Sequence, residues 1–414
     1  MDKVLARISG FQSVVYSSSS AGLLKLKLAV LYDRDKLDPK LKEMYSCPPE
    51  ENRTINFVPH TVLGYKWDNC YDFKDQWKAF KEEVQAASKE DREGPSAEEM
   101  VKGLEKNLRL SIEKDILPVL GDQVGGYLAE VNSSGGFPLP KLLFFVKMNG
   151  RLAAEKIMDT LVSNRPVVFQ KEVYEEIPIN YVSLPLGVDI EPAYSFLGDY
   201  LLLATSRGVI KSAVDSFKNP SVLSLASSDR FKKVNGGLTD KNNSVIFLQL
   251  DDIMSNTRTI INWVTTQMMT KAGQDRAFQE GMIKRLADVK KKIAEEESEQ
   301  KKFNNDLKSA KEKLKTLQAQ GLDVTQTMIT IDRLEKQIEA KQDTIKTSKT
   351  DQDELEDTVL NFKKEKADPE LIKFYVDQAL MPFLDGLKSF KTLGSRMVLS
   401  EGTIEMTAVI EVGE

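Results

Sequence analysis

Two segments of the chain alternate apolar and polar residues in the pattern of a β-hairpin. Near the start, residues 11–16 and 23–32 flank the sequence SSSSAG. Alternation with a period of two is typical of strands that have one apolar and one polar face. Residues 395–412 repeat the pattern, and Gly402 aligns with Gly22. We therefore predict a hairpin at each end of the chain and interpret the first as the tail of a preceding structural copy.

Between the two hairpins, short apolar runs are mixed with segments of helical periodicity. Residues 141–148 and 244–250 have the composition of strands, whereas residues 151–162 and 207–217 have the spacing of helices. Predicted strands follow one another directly as often as they alternate with helices. This order favours an α+β fold with mainly antiparallel sheets and packed helices.

Four apolar residues at helical spacing, Met100, Leu104, Leu108 and Ile112, form a stripe after a polar loop. A stripe of this kind is typical of a helix that turns one face towards the core. We therefore predict that these side chains are buried.

From about residue 275 to 366 the chain is rich in Lys, Glu, Gln and Asp, with aliphatic residues at alternating spacings of four and three. This heptad pattern predicts two long helices, and Asp323 and Thr325 mark the reversal between them. We predict an antiparallel coiled-coil hairpin on the order of 65 Å long. One continuous helix that dimerises with a second chain is the alternative. The predicted seam consists of Met282, Leu286, Val289, Ile293, Phe303, Leu307, Ala310, Leu314 and Leu317, followed by Ile331, Leu334, Ile338, Ile345, Leu355 and Phe362.

These patterns predict four segments along the chain. Residues 1–46 form the first hairpin segment, and residues 47–274 form an α+β body. Residues 275–366 are a coiled-coil hairpin inserted into that body. Residues 367–414 return as a helix and a hairpin that complete the body.

Composition restricts the chemistry that the chain can perform. Among 414 residues there is one histidine, His60, and there are two cysteines. Zinc clusters, histidine-based triads and Cys–His nucleophile pairs therefore lack their usual residues, and no phosphate-binding loop or hydrolase motif occurs. We predict no catalytic residue, no cofactor and no metal site. The 58 Lys and Arg residues nearly balance the 63 Asp and Glu residues, so we expect no nucleic-acid partner.

Cys47 and Cys70 enclose a short segment of the chain. An even pair at this spacing forms a disulfide in an oxidising compartment, and the alternative is two free thiols. No apolar run reaches the roughly 18 to 20 residues of a membrane span. We therefore expect no direct membrane insertion by this chain, and an anchor in a longer form of the protein stays open.

Four phrases along the chain resemble an uncharacterised bacterial family, a domain of unknown function usually found in exported or membrane-anchored proteins. They are VPHTVLGYKW (58–67), ILPVLGDQVGGYL (116–128), LLFFVKMNGRLAAEKIMDTLV (142–162) and AYSFLGDYLLLATSRGVIKSAVDSF (193–217). The long coiled coil departs from the family pattern, in which a short helical connection occupies that position. The resemblance implies an extracytoplasmic location, in the periplasm or cell envelope, and carries over no activity, cofactor or catalytic residue.

The main functional hypothesis is a non-enzymatic structural or protein-interaction protein, a scaffold or adaptor. In this hypothesis the coiled-coil hairpin contacts a protein partner or a second copy of the chain. A contact at the tip of the hairpin predicts exposed apolar side chains at Leu322, Val324, Met328 and Ile329.

Two alternatives stay open. The first is a carrier or chaperone for an apolar ligand, such as a lipid or a lipoprotein, held between a curved sheet and the apolar helix predicted at 251–271. The second is an enzyme of unknown class, whose active site would be a pocket containing perturbed carboxyl groups.

Overall fold

The computed structural model describes residues 11–20, 22–90, 97–132, 138–163, 168–184, 190–320, 322–362 and 369–413. The chain forms two compact units. Unit 1 consists of Met1–Trp263 and Leu380–Glu414, and unit 2 consists of Val264–Ala379. Parts of all four predicted segments lie outside the described residues, among them residues 1–10, 91–96, 363–366 and 367–368.

Fourteen strands occur in the described part of the chain, all in unit 1. They are β1 (Phe11–Ser20), β2 (Leu23–Tyr32), β3 (Glu50–Glu51), β4 (Gly64–Asp68), β5 (Leu120–Asn132), β6 (Leu139–Met148), β7 (Gln170–Tyr174), β8 (Ile177–Tyr181), β9 (Ala193–Leu197), β10 (Tyr200–Ala204), β11 (Lys241–Asn242), β12 (Ser244–Gln249), β13 (Phe390–Ser400) and β14 (Thr403–Val412).

The α-helices range from one turn to 70 residues in length. They are α1 (Pro39–Met44), α2 (Phe73–Glu90), α3 (Ala97–Leu108), α4 (Arg151–Ser163), α5 (Arg207–Lys218), α6 (Pro220–Leu223), α7 (Asp229–Lys233), α8 (Leu250–Ala319), α9 (Thr325–Phe362), α10 (Pro369–Tyr375) and α11 (Met381–Leu387). Short 3₁₀ turns lie at Arg34–Lys36, Arg53–Asn56, Leu117–Val119 and Leu225–Ser227, and π-helical turns lie at Ile112–Ile116 and Val376–Leu380.

Twelve of the strands form one sheet in the order β1-β2-β14-β13-β12-β4-β5-β6-β10-β9-β8-β7. Every neighbouring pair in this sheet is antiparallel. The two remaining strands, β3 and β11, pair with each other. The predicted α+β class with a mainly antiparallel sheet is therefore confirmed.

The two terminal hairpins lie side by side in this sheet. Strand β2 pairs with β14, so that Leu26 is opposite Ala408 and Leu28 is opposite Met406. The aligned glycines of the two hairpins adopt the same left-handed conformation, with φ of 77° at Gly22 and 76° at Gly402. A residue with a side chain is strained in this region, so both turns depend on glycine. The first hairpin thus extends the sheet of the body itself.

The main core lies between one face of the sheet and a layer formed by α5, α7 and the 3₁₀ turn at Leu225–Ser227. Trp67 and Phe247 are fully buried on the sheet side, and Ile210 and Phe231 are buried on the helix side. Burying an aliphatic or aromatic side chain of this size stabilises a fold by roughly 1.5–3 kcal/mol. These helices cover only one face of the central strands, and the opposite face is not part of the main core.

The stripe predicted on α3 is buried only in part. Met100 is 49% exposed and Leu104 is 42% exposed, whereas Ile112 beyond the helix is buried. The physical reason is that α3 packs beside α2, and one neighbouring helix covers less of the stripe than a sheet would. The prediction that all four side chains are buried is wrong for these two.

In unit 2, α8 and α9 lie beside each other and run antiparallel. Ion pairs join Lys290 to Glu356 at 2.8 Å and Lys311 to Glu335 at 2.7 Å. Residues later in α8 thus contact residues earlier in α9, as in an antiparallel pair. The buried aliphatic residues of the two helices all belong to the predicted seam: Ile293, Leu334, Ile338, Ile345 and Leu355.

The reversal between these helices is capped as the sequence predicts. A carboxylate oxygen of Asp323 accepts hydrogen bonds from the Thr325 backbone N–H at 2.9 Å and from its hydroxyl at 2.6 Å. The hydroxyl contact is the main cause that lowers the pKa of Asp323. Helix α8 runs without a break from residue 250, so the apolar helix predicted at 251–271 is its first part. Gly273 lies between this apolar segment and the coiled-coil segment predicted from residue 275. A glycine inside a helix costs only about 1 kcal/mol, and this one does not end the helix.

Candidate functional site

An open groove crosses the face of the sheet opposite the main core. It has a volume of about 740 Å³ and lies over β4, β5, β6, β10 and β12, with Ile253 of α8 at its side. The apolar side chains that line the groove on this face are Phe73, Val124, Leu128, Leu142, Phe144, Val146, Leu203, Ile246, Leu248 and Ile253. Successive side chains of a strand alternate between the two faces of a sheet. Most of these strand residues are therefore adjacent in sequence to a core residue, as Leu142 is to Leu143.

Two large apolar side chains in the groove are exposed. Phe144 of β6 is 57% exposed and Leu203 of β10 is 42% exposed, and the two are directly opposite each other in the strand pair. Antiparallel strands usually have one apolar face and one polar face, whereas β6 and β10 are apolar on both. The groove is therefore an apolar surface that the described residues leave partly open.

Two glycines form the floor of the groove. Gly64 and Gly126 lie on the groove face, where a side chain would otherwise fill the space. A Cβ atom added at Gly126 would lie 2.6 Å from the carbonyl oxygen of Leu143, and one added at Gly64 would lie 3.0 Å from Leu248. Glycine therefore lets neighbouring strands approach closely here and leaves the floor bare.

Helix α4 closes one end of this face. It covers a second apolar cluster that contains Ala154, Phe196 and Leu201. Leu201 is 7% exposed, while Leu203, two residues further along the same strand and on the same face, is 42% exposed. The groove thus begins where the cover by α4 ends.

The polar side chains of the groove are few. Lys66 and Asp68 lie on β4, and Tyr71 follows that strand. One carboxylate oxygen of Asp68 accepts a hydrogen bond from the Cys70 backbone N–H at 2.9 Å. Lys66 is exposed and forms no ion pair with any residue that the structure describes.

Beneath the groove, on the core side of the same strands, the tyrosines are held neutral. Burial raises the pKa of Tyr65 and of Tyr127 far above the usual tyrosine range. The Asn52 amide donates a hydrogen bond to the Tyr65 hydroxyl at 2.7 Å, and the Thr54 hydroxyl lies 2.6 Å from the same oxygen. These contacts satisfy a buried polar group and give the groove a rigid base.

Titratable groups elsewhere are engaged in structural contacts. Arg230 pairs with Asp251 at 2.8 Å and with Asp252 at 2.9 Å, which explains the acidic pair at the start of α8. Nδ1 of His60 lies 3.1 Å from the carbonyl oxygen of Leu223. Within the described ranges, no three His, Cys, Asp or Glu side chains lie together in an arrangement that could hold a metal ion.

Comparison with protein families adds one finding. Residues 74–364, more than two thirds of the chain, match the model of a family described as a protein of unknown function (DUF3352). The chain belongs to this family. No curated protein and no solved structure matches the DUF3352 chain. The match includes β5, β6, β10 and β12 of the groove, whereas β4 with Lys66 precedes it.

The two cysteines of this DUF3352 protein form a disulfide. The Cα atoms of Cys47 and Cys70 are 5.9 Å apart. Buried Asn243 holds the bonded segment against the sheet, since its amide donates to the Cys47 carbonyl oxygen at 3.0 Å and accepts from the Leu399 backbone N–H at 2.6 Å. None of the helices in the described ranges has both the length and the apolar content of a membrane span.

The predicted tip residues of this DUF3352 protein lie around the turn between α8 and α9. Leu322 is 54% exposed, Met328 is 55% exposed and Ile329 is 58% exposed, while Val324 is half-buried. Three of the four side chains thus project into solvent at the tip of the hairpin.

The carrier hypothesis placed an apolar ligand between a sheet and the helix at 251–271, but the strands that line the groove of the DUF3352 protein were not predicted from the sequence. The sequence feature that indicates the groove is the unbroken apolar run LLFFV in β6 together with LLL in β10. In an antiparallel sheet such runs indicate strands that are apolar on both faces. Which face a helix covers depends on contacts between distant parts of the chain.

Proposed function

We propose that this protein binds an apolar ligand in the groove and acts as a carrier or chaperone for it. The observation that supports this proposal is the groove of about 740 Å³ with Phe144 and Leu203 exposed on its floor. Small-molecule sites are typically concave and mostly apolar, with volumes of about 300–1,000 Å³. A contiguous exposed apolar patch on a folded protein usually marks a binding surface.

The gain from filling such a groove sets an upper limit on the affinity for an apolar ligand. Each methylene group removed from water contributes about 0.8 kcal/mol, so a ligand that buries about ten of them gains ~8 kcal/mol. That value corresponds to a dissociation constant on the order of 1 μM before the entropic cost of association is subtracted. A single acyl chain is therefore a ligand of adequate size.

Titration with a fluorescent acyl probe tests this proposal. Delipidated protein and a dansyl-labelled undecanoic acid should give saturable binding, and Phe144→Asp should weaken it at least about tenfold because it places a charge on the apolar floor. Val173→Asp is the matched control: Val173 is an exposed apolar residue of a strand, 66% exposed, and lies outside the groove. Absence of saturable binding, or equal weakening by both variants, would contradict the proposal.

The second candidate function is the scaffold or adaptor function, in which the α8–α9 coiled-coil hairpin contacts a protein. It is supported by the three exposed side chains Leu322, Met328 and Ile329 at the tip. A second copy of the chain is the partner that can be tested directly. Sedimentation should then show self-association that the triple variant Leu322→Ser, Met328→Ser, Ile329→Ser loses.

The control for the tip variant is Leu360→Ser, since Leu360 is 60% exposed at the other end of α9. It should leave self-association unchanged. A wild-type protein that stays monomeric at all concentrations, or that associates equally in both variants, argues against this function.

Neither function requires a reaction, and we propose that the protein is not an enzyme and uses no cofactor. We also propose an extracytoplasmic location in a bacterial cell envelope. The disulfide supports it, since such bonds persist in oxidising compartments and are rare in the cytosol. Alkylation of thiols in intact cells, followed by a mobility shift assay, should find Cys47 and Cys70 oxidised, and reduced thiols in cells would contradict this location.

A further inference from the structure

One cross-strand row of residues runs along the floor of the groove. Lys66 of β4 is opposite Ile246 of β12 on one side and opposite Gly126 of β5 on the other. Gly126 is in turn opposite Phe144 of β6, which is opposite Leu203 of β10. The row therefore contains one cation, then a bare glycine, then two exposed apolar side chains.

The length of this row matches a medium acyl chain. Neighbouring strands are ~4.8 Å apart, so three steps from Lys66 to Leu203 span roughly 14 Å. A chain laid over Gly126 and Phe144 would be held on an apolar floor, and its polar end would lie beside Lys66.

Lys66 differs from Lys27 and Lys141 of the same sheet, which have carboxylate partners. Lys27 pairs with Glu405 at 3.1 Å, and Lys141 pairs with Glu130 at 2.9 Å, each across neighbouring strands. The positions directly opposite Lys66 are a glycine and an isoleucine, so no cross-strand carboxylate is available to it. Its charge lies within this apolar row, between Ile246 and Gly126, without an ion-pair partner among the described residues.

We propose that the ligand is a fatty acid, a single-chain amphiphile whose carboxylate pairs with Lys66 and whose chain lies over Gly126, Phe144 and Leu203. This inference rests on the proposed function of the groove and names its ligand class. One lysine matches the single negative charge of a carboxylate. A phosphate head group carries more charge than this one cation balances, and Asp68 on the same strand repels that larger charge more strongly than the single charge of a carboxylate.

The test compares ligands that share a twelve-carbon chain and differ in the head group. Dodecanoate, dodecanol, dodecylamine and dodecyl phosphate are titrated calorimetrically into delipidated wild-type protein. Dodecanoate should bind about two- to fivefold more tightly than dodecanol, since a contact with an exposed lysine has that magnitude. Lys66→Met should remove this preference and leave the affinity for dodecanol within about twofold.

Two further variants separate the role of the charge from a loss of structure. Lys66→Arg keeps the cation and should keep the preference for dodecanoate. Asp68→Asn keeps an oxygen acceptor for the Cys70 backbone N–H and should preserve or increase that preference. Circular dichroism of each variant should match the wild type.

Each other outcome has a defined meaning. A preference for dodecanoate that persists in Lys66→Met, equal affinity for dodecanol and dodecanoate in the wild type, or tightest binding of dodecylamine overturns the assignment of Lys66. Tighter binding of dodecyl phosphate overturns the choice of a carboxylate. In these cases the apolar groove still binds its ligand, whereas failure of all four ligands to bind contradicts the proposed function itself.

Discussion

The disulfide between Cys47 and Cys70 provides the most direct quantitative test of the fold. The loop that it closes has a sequence separation of 23 residues and includes β4, the strand that contributes Tyr65 and Trp67 to the core. The perturbation is the double variant Cys47→Ser, Cys70→Ser, which removes the bond and keeps side chains of similar size. Because Asn243 contacts backbone groups here, its hydrogen bonds to the Cys47 carbonyl and the Leu399 N–H should persist.

The expected loss of stability follows from the length of the loop. Closing a loop of this size in the unfolded chain lowers its entropy by an amount equivalent to about 3 kcal/mol at room temperature in the chain-entropy account. For a unit of roughly 300 residues, with an unfolding entropy of about 2 cal/mol/K per residue, this free energy lowers the melting temperature by about 5 °C.

Urea denaturation monitored by tryptophan fluorescence measures this loss, because Trp67 is fully buried in unit 1. The oxidised wild type should unfold at higher urea concentration than the double variant, and reductant should lower the wild-type midpoint towards that of the variant. Reductant added to the double variant is the control and should have no effect. Equal midpoints for oxidised and reduced wild type, or two titratable thiols in the unreduced protein, would contradict a stabilising disulfide.

Three further predictions concern other parts of the chain. Leu143→Ala, at a fully buried core position, should lower the free energy of unfolding by about 2–5 kcal/mol in urea titrations. Gly198→Val, at a turn with φ of 59°, should cost about 1–2 kcal/mol in the same assay, because a β-branched residue is strained there. Lys341→Met removes the ion pairs of Lys341 with Glu296 and Glu299, so the thermal stability of the α8–α9 hairpin should fall, and the difference from wild type should shrink in high salt.

Local patterns predicted much of the secondary structure. The heptad seam identified Ile293, Leu334, Ile338, Ile345 and Leu355, which the structure buries. Such a seam requires only that residues three and four apart share one helix face, and this spacing is visible in the sequence. The sequence left a disulfide and two free thiols as alternatives for the cysteines, and the structure forms the bond.

The same local reasoning failed where a distant neighbour decides the environment. The stripe on α3 has the spacing of a core-facing helix, yet Met100 and Leu104 are nearly half exposed because α3 packs beside α2. Helical spacing shows that residues share a face. It does not show how large a surface covers that face.

Periodicity and residue type predicted the α+β class, the two terminal hairpins and two long helices, since helix and hairpin formation depends on residues close in sequence. The pairing of the two long helices joins residues as far apart as Lys290 and Glu356, and the sequence left it open against one continuous helix. Only the tertiary structure decided that β2 pairs with β14, that Lys66 stands between Gly126 and Ile246, and that α4 covers Leu201 and leaves Leu203 exposed. The order and register of strands depend on pairing between residues far apart in the chain. The groove, which is built from five such strands, therefore has no local signature that states which of its faces is open.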